Sequence, residues 1–261
     1  MKEIKRLTLK LVLLAATLNA TSVLTQNAKY SPLEHPSQAT ETTMEQMPAK
    51  LETQFALSAL PPAMRDQATV YLLNPKNGYQ LSRQGTSGVT CLVERTAWEQ
   101  ADFRSDIYVP LCYDAEGSKT FLKVIMDAAM LRIQGMSPAA LKAETENRYK
   151  NKTYQVPEKA GLSYMVAPIM RTWMLPDWQV HTMPMPHLMF YAPNIKNEDI
   201  GAVPNSSLLY PFIFKEGIAE QSYMIQLIGE AEKARIMDDE RSLLDDLCTY
   251  RDVLCLPNMK H

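Results

Sequence analysis

Four cysteines constrain the fold of this chain more than any other feature of its sequence. They are Cys91, Cys112, Cys248 and Cys255. In an oxidising compartment an even number of cysteines favours disulfides, whereas in a reducing compartment the same residues more often bind metals or act in catalysis. The expected chemical state of the four cysteines therefore depends on the compartment in which the protein folds.

The N-terminus has the pattern of a secretory signal. Four basic residues and one acidic residue lie in the first ten positions, and an uncharged, mostly apolar run follows over residues 11–20. A positive region, an apolar region of about 7–15 residues and then small residues are typical of cleavable signal peptides. A membrane anchor is the alternative, but it needs about 20 mostly apolar residues. We therefore predict a signal peptide over residues 1–26, with cleavage after Ala20 or nearer Gln26, and a secreted or periplasmic protein.

Export makes disulfides the favoured state of the cysteines. Cys91 and Cys112 both lie in strand-like sequence, and a bridge between them would contribute about 3 kcal/mol, so we predict this pair. Cys248 and Cys255 lie in a helical pattern, where their Cα atoms would be roughly 10 Å apart, beyond the limit of about 7 Å for a disulfide. They can pair only if the helix breaks before Pro257. A zinc site is disfavoured because the Cys-x-x-Cys spacing is absent.

Charge and hydropathy exclude two classes of partner. The formal net charge is −2 and the pI is about 6.1, so there is no basic field to attract nucleic acid or an anionic membrane surface. After the signal, every apolar run long enough to span a membrane is interrupted by charge. We expect a soluble mature protein without nucleic-acid partners and without a transmembrane segment.

The remaining chain divides by composition into two parts. Residues 27–50 are polar and contain three prolines, a composition that buries too little apolar surface to offset the entropy of ordering. We predict a flexible tether over residues 27–60, with a possible short helix starting near Met47, followed by one globular α+β domain over residues 61–261.

Within that domain, strands and helices occur in separate blocks. We expect a three-strand meander at 69–73, 79–81 and 89–93, and a fourth strand at 107–113. A buried helix should start at Ser118 and run over 118–134, and a second helix should follow over 138–150. Further strands, of which the last two should form a hairpin, are expected at 162–167, 188–191, 211–214 and 223–228. A short helix at Asn197 and an amphipathic helix over 230–254 complete the pattern. This order predicts an α+β fold in which an antiparallel sheet packs against the buried central helix and the C-terminal helix.

The most specific local motif is His-Thr-Met-Pro-Met-Pro-His. Its prolines disfavour helix, and in an extended chain alternate side chains share one face, which would align His181, Met183, Met185 and His187. Imidazole and thioether ligands suit Cu(I). Two alternatives oppose a copper site, since methionine commonly fills core gaps and a polyproline helix would separate the four side chains.

Two carboxylates and one histidine are weak candidates for acid–base chemistry. Asp114 and Glu116 lie between a predicted strand and a predicted helix, where acidic residues also occur simply because they favour helix N-termini. A hydrolase of unrecognised type would pair one of them with His187.

The sequence thus leaves three hypotheses. The leading one is a non-catalytic binding or interaction protein, because no catalytic motif is visible. A Cu(I) or other soft-metal binder is the second and a hydrolase the third. The sequence names no cofactor, small-molecule ligand or protein partner.

Overall fold

The computed structural model describes residues 43–174, 177–202, 211–215 and 217–257. The predicted signal peptide and the tether up to residue 42 lie outside these ranges. The described residues all belong to one compact unit.

Among the described residues, ten strands form one large and one small sheet. In chain order they are β1 (Thr69–Asn74), β2 (Gly78–Arg83), β3 (Thr90–Glu94), β4 (Val109–Tyr113), β5 (Leu162–Met165), β6 (Met170–Met174), β7 (Gln179–Met183), β8 (His187–Tyr191), β9 (Phe212–Lys215) and β10 (Ser222–Leu227). The large sheet has eight strands in the order β2-β1-β3-β4-β5-β8-β10-β9, and β6 and β7 form a separate antiparallel hairpin.

Helices account for most of the remaining regular structure. The α-helices are α1 (Ala49–Ser58), α2 (Ala115–Lys119), α3 (Phe121–Ile133), α4 (Pro138–Lys150), α5 (Glu230–Asp239) and α6 (Arg241–Tyr250). Short 3-10 helices span Pro62–Gln67, Trp98–Gln100, Asn197–Ile200, Ala219–Gln221 and Asp252–Leu254. The predicted α+β class is confirmed, as are the short helix at Asn197 and the antiparallel pairing of the last two strands.

The predicted three-strand meander is wrong in its order. β1 and β2 form an antiparallel pair, but β3 lies on the other side of β1 and runs parallel to it. The chain returns past the start of β1 at Gly85, where an added Cβ would lie 2.2 Å from the Gln67 carbonyl oxygen. Only glycine allows that close backbone approach, which carries β3 across to the far side of β1.

Two predicted helices are also corrected. The central helix does not start at Ser118: Asp114 caps α2, and the chain breaks at Thr120 before α3 begins. The single helix expected over 230–254 is two helices, α5 and α6, followed by a 3-10 turn. The second error arises because the apolar periodicity continues across the break at Glu240 and does not reveal it.

The sheet separates two apolar cores. One core contains the inner sides of α1 and α6 together with β-strand residues such as Val70 and Val93. The other contains Phe121 and Ile125 of α3, inward residues of the central strands, and side chains of the β6–β7 hairpin. Because Phe55 and Ala56 of α1 are fully buried, the folded part of the chain extends N-terminally beyond residue 61.

Both disulfides are present. Cys91 and Cys112 face each other directly across β3 and β4, with Cα atoms 4.0 Å apart, as predicted. Cys248 and Cys255 also pair, with Cα atoms 4.4 Å apart. The second bridge can form because α6 ends at Tyr250 and Arg251 is extended, which is the break that the sequence required.

A side chain covers part of one edge of the large sheet. Asn197 accepts a hydrogen bond from Ile213 N at 2.7 Å and donates one to Ile213 O at 3.1 Å. These two backbone groups of the edge strand β9 therefore already have hydrogen-bond partners and cannot pair with a strand of another chain.

Candidate functional site

The extended motif is divided between the two sheets. His181 and Met183 belong to β7, whereas His187 begins β8, and residues 184–186 connect the strands. The single strand that would have aligned the four side chains therefore does not form.

His181 lies on the exposed part of the β6–β7 hairpin. Its side chain is 50 % exposed, and its Nε2 is 2.9 Å from a carboxylate oxygen of Asp177. Hydrogen bonds from Gln179 N and His181 lower the pKa of Asp177. This histidine thus already has a carboxylate partner within its own hairpin.

His187 is buried, with only 3 % of its surface exposed. Its Nδ1 lies 2.7 Å from the backbone oxygen of Met185. Because a carbonyl oxygen can only accept, Nδ1 carries the ring proton and Nε2 carries a lone pair. Burial lowers the pKa of His187, which favours this neutral form. Metal-ligating histidines are held in the same way, by donating the other ring N–H to a carbonyl or carboxylate.

Two buried methionines are neighbours of His187 on its face of the sheet, together with Leu227, which lies directly opposite it on β10. Met165 of β5 lies directly opposite it, and Met189 follows two residues along β8. Directly opposed side chains in an antiparallel pair have Cβ atoms about 4.5–5.5 Å apart, and diagonal neighbours remain within reach of long side chains. The register therefore places an imidazole and two thioethers next to one another.

The same core is rich in methionine beyond these two residues. At least seven of the 16 methionines of the chain pack in it: Met126, Met165, Met170, Met174, Met183, Met185 and Met189. Methionine fills irregular gaps in cores, so abundance alone does not make a ligand site. The distinguishing feature here is the buried histidine on the same face as Met165 and Met189.

A buried hydroxyl adjoins these residues. Ser163 is directly opposite Met189, and its position two residues before Met165 places it on the same face. It is fully buried, and its Oγ has no hydrogen-bond partner within the described residues. A buried polar atom without a partner calls for an explanation such as a bound water or ion.

Asp114, the first catalytic candidate, is occupied by hydrogen bonds that hold the fold. One oxygen accepts from Glu116 N, Gly117 N and the Tyr191 hydroxyl at 2.8–3.0 Å, and the other accepts from Leu162 N at 2.9 Å. Burial and the neighbouring Asp114 raise the pKa of Tyr191. The carboxylate joins the start of α2 to β5 and β8.

Glu116 also has a local role. Its carboxylate accepts a hydrogen bond from Glu158 N at 3.0 Å. The structure does not bring His187 to either acid: Tyr191 contacts Asp114, and His187 lies four residues away at the other end of β8, about 13 Å along the strand. The paired acid and base of the hydrolase hypothesis therefore do not meet.

A group of buried charges that sequence reasoning missed lies around the connection between β3 and β4. Arg95 donates to Ile107 O and Ser105 O and stacks 3.8 Å from the ring centre of Tyr108. Arg132 donates to Arg95 O. These guanidinium groups hold the connection between β3 and β4, so we interpret the group as structural.

Glu52 of α1 is a buried acid whose carboxylate is close enough to Arg95 to feel its charge. It is 1 % exposed and accepts a hydrogen bond from Leu73 N at 2.8 Å. Burial raises its pKa to about 7, against the opposing effects of the Leu73 hydrogen bond and the charge of Arg95. No sequence motif marks this residue, because its environment depends on α1 packing across the sheet.

No group of three or more His, Cys, Asp or Glu side chains in the described ranges is arranged to hold a metal ion. That finding does not concern thioethers. No helix in the same ranges is long and apolar enough to cross a membrane.

Comparison with known proteins gives no further guide. No protein-family model, curated protein or solved structure matches this chain.

Proposed function

We propose that this protein is an exported, non-catalytic binding protein whose ligand is a soft monovalent metal ion, Cu(I). The ion would be held by Nε2 of His187 and the thioethers of Met165 and Met189. The observation that carries the proposal is the buried imidazole, oriented by Met185 O, with buried methionines opposite it and beside it.

The chemistry of this ligand set favours a soft ion. Thioether sulfur and neutral imidazole suit Cu(I), whereas calcium and magnesium need carboxylate or carbonyl oxygens. All ligands are neutral, so a monovalent ion leaves a smaller charge to bury than a divalent one. All four cysteines are in disulfides, so the sulfur atoms that can bind a metal ion are those of the methionine thioethers.

Two disulfides fit an oxidising compartment. Together with the predicted signal peptide they support a secreted or periplasmic location. In such a location a binding protein without a thiol site can still take up Cu(I), because methionine does not form disulfides.

A competition titration tests the proposal. Purified protein is titrated with Cu(I) against a chromophoric Cu(I) chelator, with ascorbate as reductant so that the disulfides remain intact. We expect one equivalent to bind. We expect His187→Ala, and the double variant Met165→Leu/Met189→Leu, to weaken binding by at least about 100-fold, because even the loss of an outer-shell partner of a metal ligand weakens binding by about 10- to 100-fold.

Two control variants separate this site from general methionine binding. Met224→Leu changes a residue opposite Phe190, on the other face of the sheet, and His181→Ala removes the histidine paired with Asp177. Both should bind like the parent. Equal affinity of the parent and the Met165→Leu/Met189→Leu variant, with folding confirmed by circular dichroism, would refute the proposed site.

A further inference from the structure

The methionines around the proposed site differ in their exposure. Met165 and Met189 are buried, at 7 % and 6 % exposure, and so is His187, which faces Met165 and precedes Met189 by two residues. Met183 and Met185 are only partly buried, although both pack against the same core. Met183 and Met185 are thus the partly exposed methionines nearest to His187 along the chain.

The backbone of residues 184–186, which connect β7 to β8, is held at two points. Met185 O accepts the hydrogen bond from His187 Nδ1, and Pro186 O accepts one from Ile228 N at 3.0 Å. Pro184 and Pro186 further restrict the chain. The segment is thus fixed next to His187, while an unbranched methionine side chain on it retains several rotatable bonds.

We propose that Met183 and Met185 form the entry route for Cu(I) to the buried site. This inference rests on the proposed function. An ion bound first by the thioethers of Met183 and Met185 passes inward by ligand exchange: a bond from copper to a Met185 sulfur breaks as a bond to Nε2 of His187 forms. Nε2 carries no proton, so none is displaced, and the oxidation state does not change.

An entry route affects rates more than affinity. Because Kd is the ratio of the release rate to the uptake rate, a residue used only in passage changes both rates by the same factor. A ligand of the bound state would instead speed release and weaken affinity.

Stopped-flow transfer of Cu(I) from the chromophoric chelator measures both rates. In Met183→Leu/Met185→Leu, which keeps the apolar volume nearly constant, we expect uptake and release to slow by at least about tenfold and the affinity to change by less than about threefold. The matched control is Met174→Leu, a partly buried methionine of the same core that pairs with Gln179 at the other end of the hairpin. It should leave both rates unchanged.

The outcomes separate this inference from the proposed function. Unchanged rates in the double variant, or equal slowing in Met174→Leu, would overturn the entry route while tight binding by the parent still supports the site. Faster release with unchanged uptake would make the two residues ligands instead, which also overturns the route. Absence of tight Cu(I) binding by the parent would overturn both.

Discussion

Replacing Asp114 with alanine is expected to lower the free energy of unfolding by about 4 kcal/mol, from a lost helix cap and buried donors left without an acceptor. The carboxylate accepts two backbone N–H groups at the start of α2, the Tyr191 hydroxyl, and Leu162 N of β5. Water can replace it only at the exposed side of the cap. Urea unfolding of the parent and the variant measures the difference.

Two further variants test whether the effect comes from these bonds. Asp114→Asn keeps one oxygen acceptor but replaces the other oxygen with an NH2 group, which cannot accept a hydrogen bond. We therefore expect its free energy of unfolding to fall by about half as much as that of Asp114→Ala. Glu116→Ala removes a neighbouring acid with a single bond to Glu158 N, and its cost should be below about 1 kcal/mol. A cost for Asp114→Ala no larger than that for Glu116→Ala would contradict this assignment.

Glu52→Gln is expected to make the protein more stable at pH 8 and to have little effect at pH 4. Burial raises the pKa of Glu52 from 4.5 to about 7 in the folded state. Between these values the folded protein holds a proton that the unfolded chain has released, so stability falls as pH rises through this range. The stabilisation that the folded protein gains from protonated Glu52 is fully present below about pH 4.5 and is lost above about pH 7.

The size of this effect follows from the shift of the pKa. A difference of about 2.5 pKa units corresponds to about 3 kcal/mol. Glutamine does not ionise, and its side-chain oxygen can still accept the bond from Leu73 N. The stability gained by Glu52→Gln should therefore increase by about 3 kcal/mol from pH 4 to pH 8.

Chemical denaturation at several pH values between 4 and 8 measures the dependence. Glu146→Gln is the control, because Glu146 forms only an exposed pair with Lys142 at 3.6 Å, and it should change stability by less than about 0.5 kcal/mol at either pH. A Glu52→Gln variant whose stability follows the same pH dependence as the parent would refute the buried, protonated state.

The sequence predicted the local elements of the fold better than their arrangement. Periodicity and turn residues indicate where strands lie, and the position of Cys91 and Cys112 in two strands indicated their pairing. The parallel placement of β3 beside β1 could not be inferred, because it depends on a close backbone contact at Gly85 that forms only in the folded chain.

Glycines near Asp114 illustrate the same limit. A Cβ at Gly117 would lie 2.1 Å from the Tyr191 hydroxyl, and one at Gly161 would lie 2.2 Å from Asp114 Oδ2. In the sequence these residues are simply loop glycines. These positions must lack a side chain because α2, β5 and β8 pack closely together around them.

Sequence reasoning found one of the three ligands of the proposed metal site. His187 lies in the motif, but Met165 joins it from a strand 22 positions earlier. The β6–β7 hairpin separates β5 from β8 in the chain, so their pairing cannot be deduced from spacing. Met189 carried a usable signal, because it lies two residues after His187 in a strand-like run and therefore shares its face.

Methyl NMR with Ag(I), a soft ion that does not change its oxidation state in this experiment, tests the central claim most directly. The methionine methyl groups are labelled with 13C, and their signals are assigned by single Met→Leu variants. One equivalent of Ag(I) should shift the signals of Met165 and Met189, together with the ring signals of His187, and leave Met224 unchanged. Shifts confined to exposed methionines, or no shifts at Met165 and Met189, would contradict a metal site at His187.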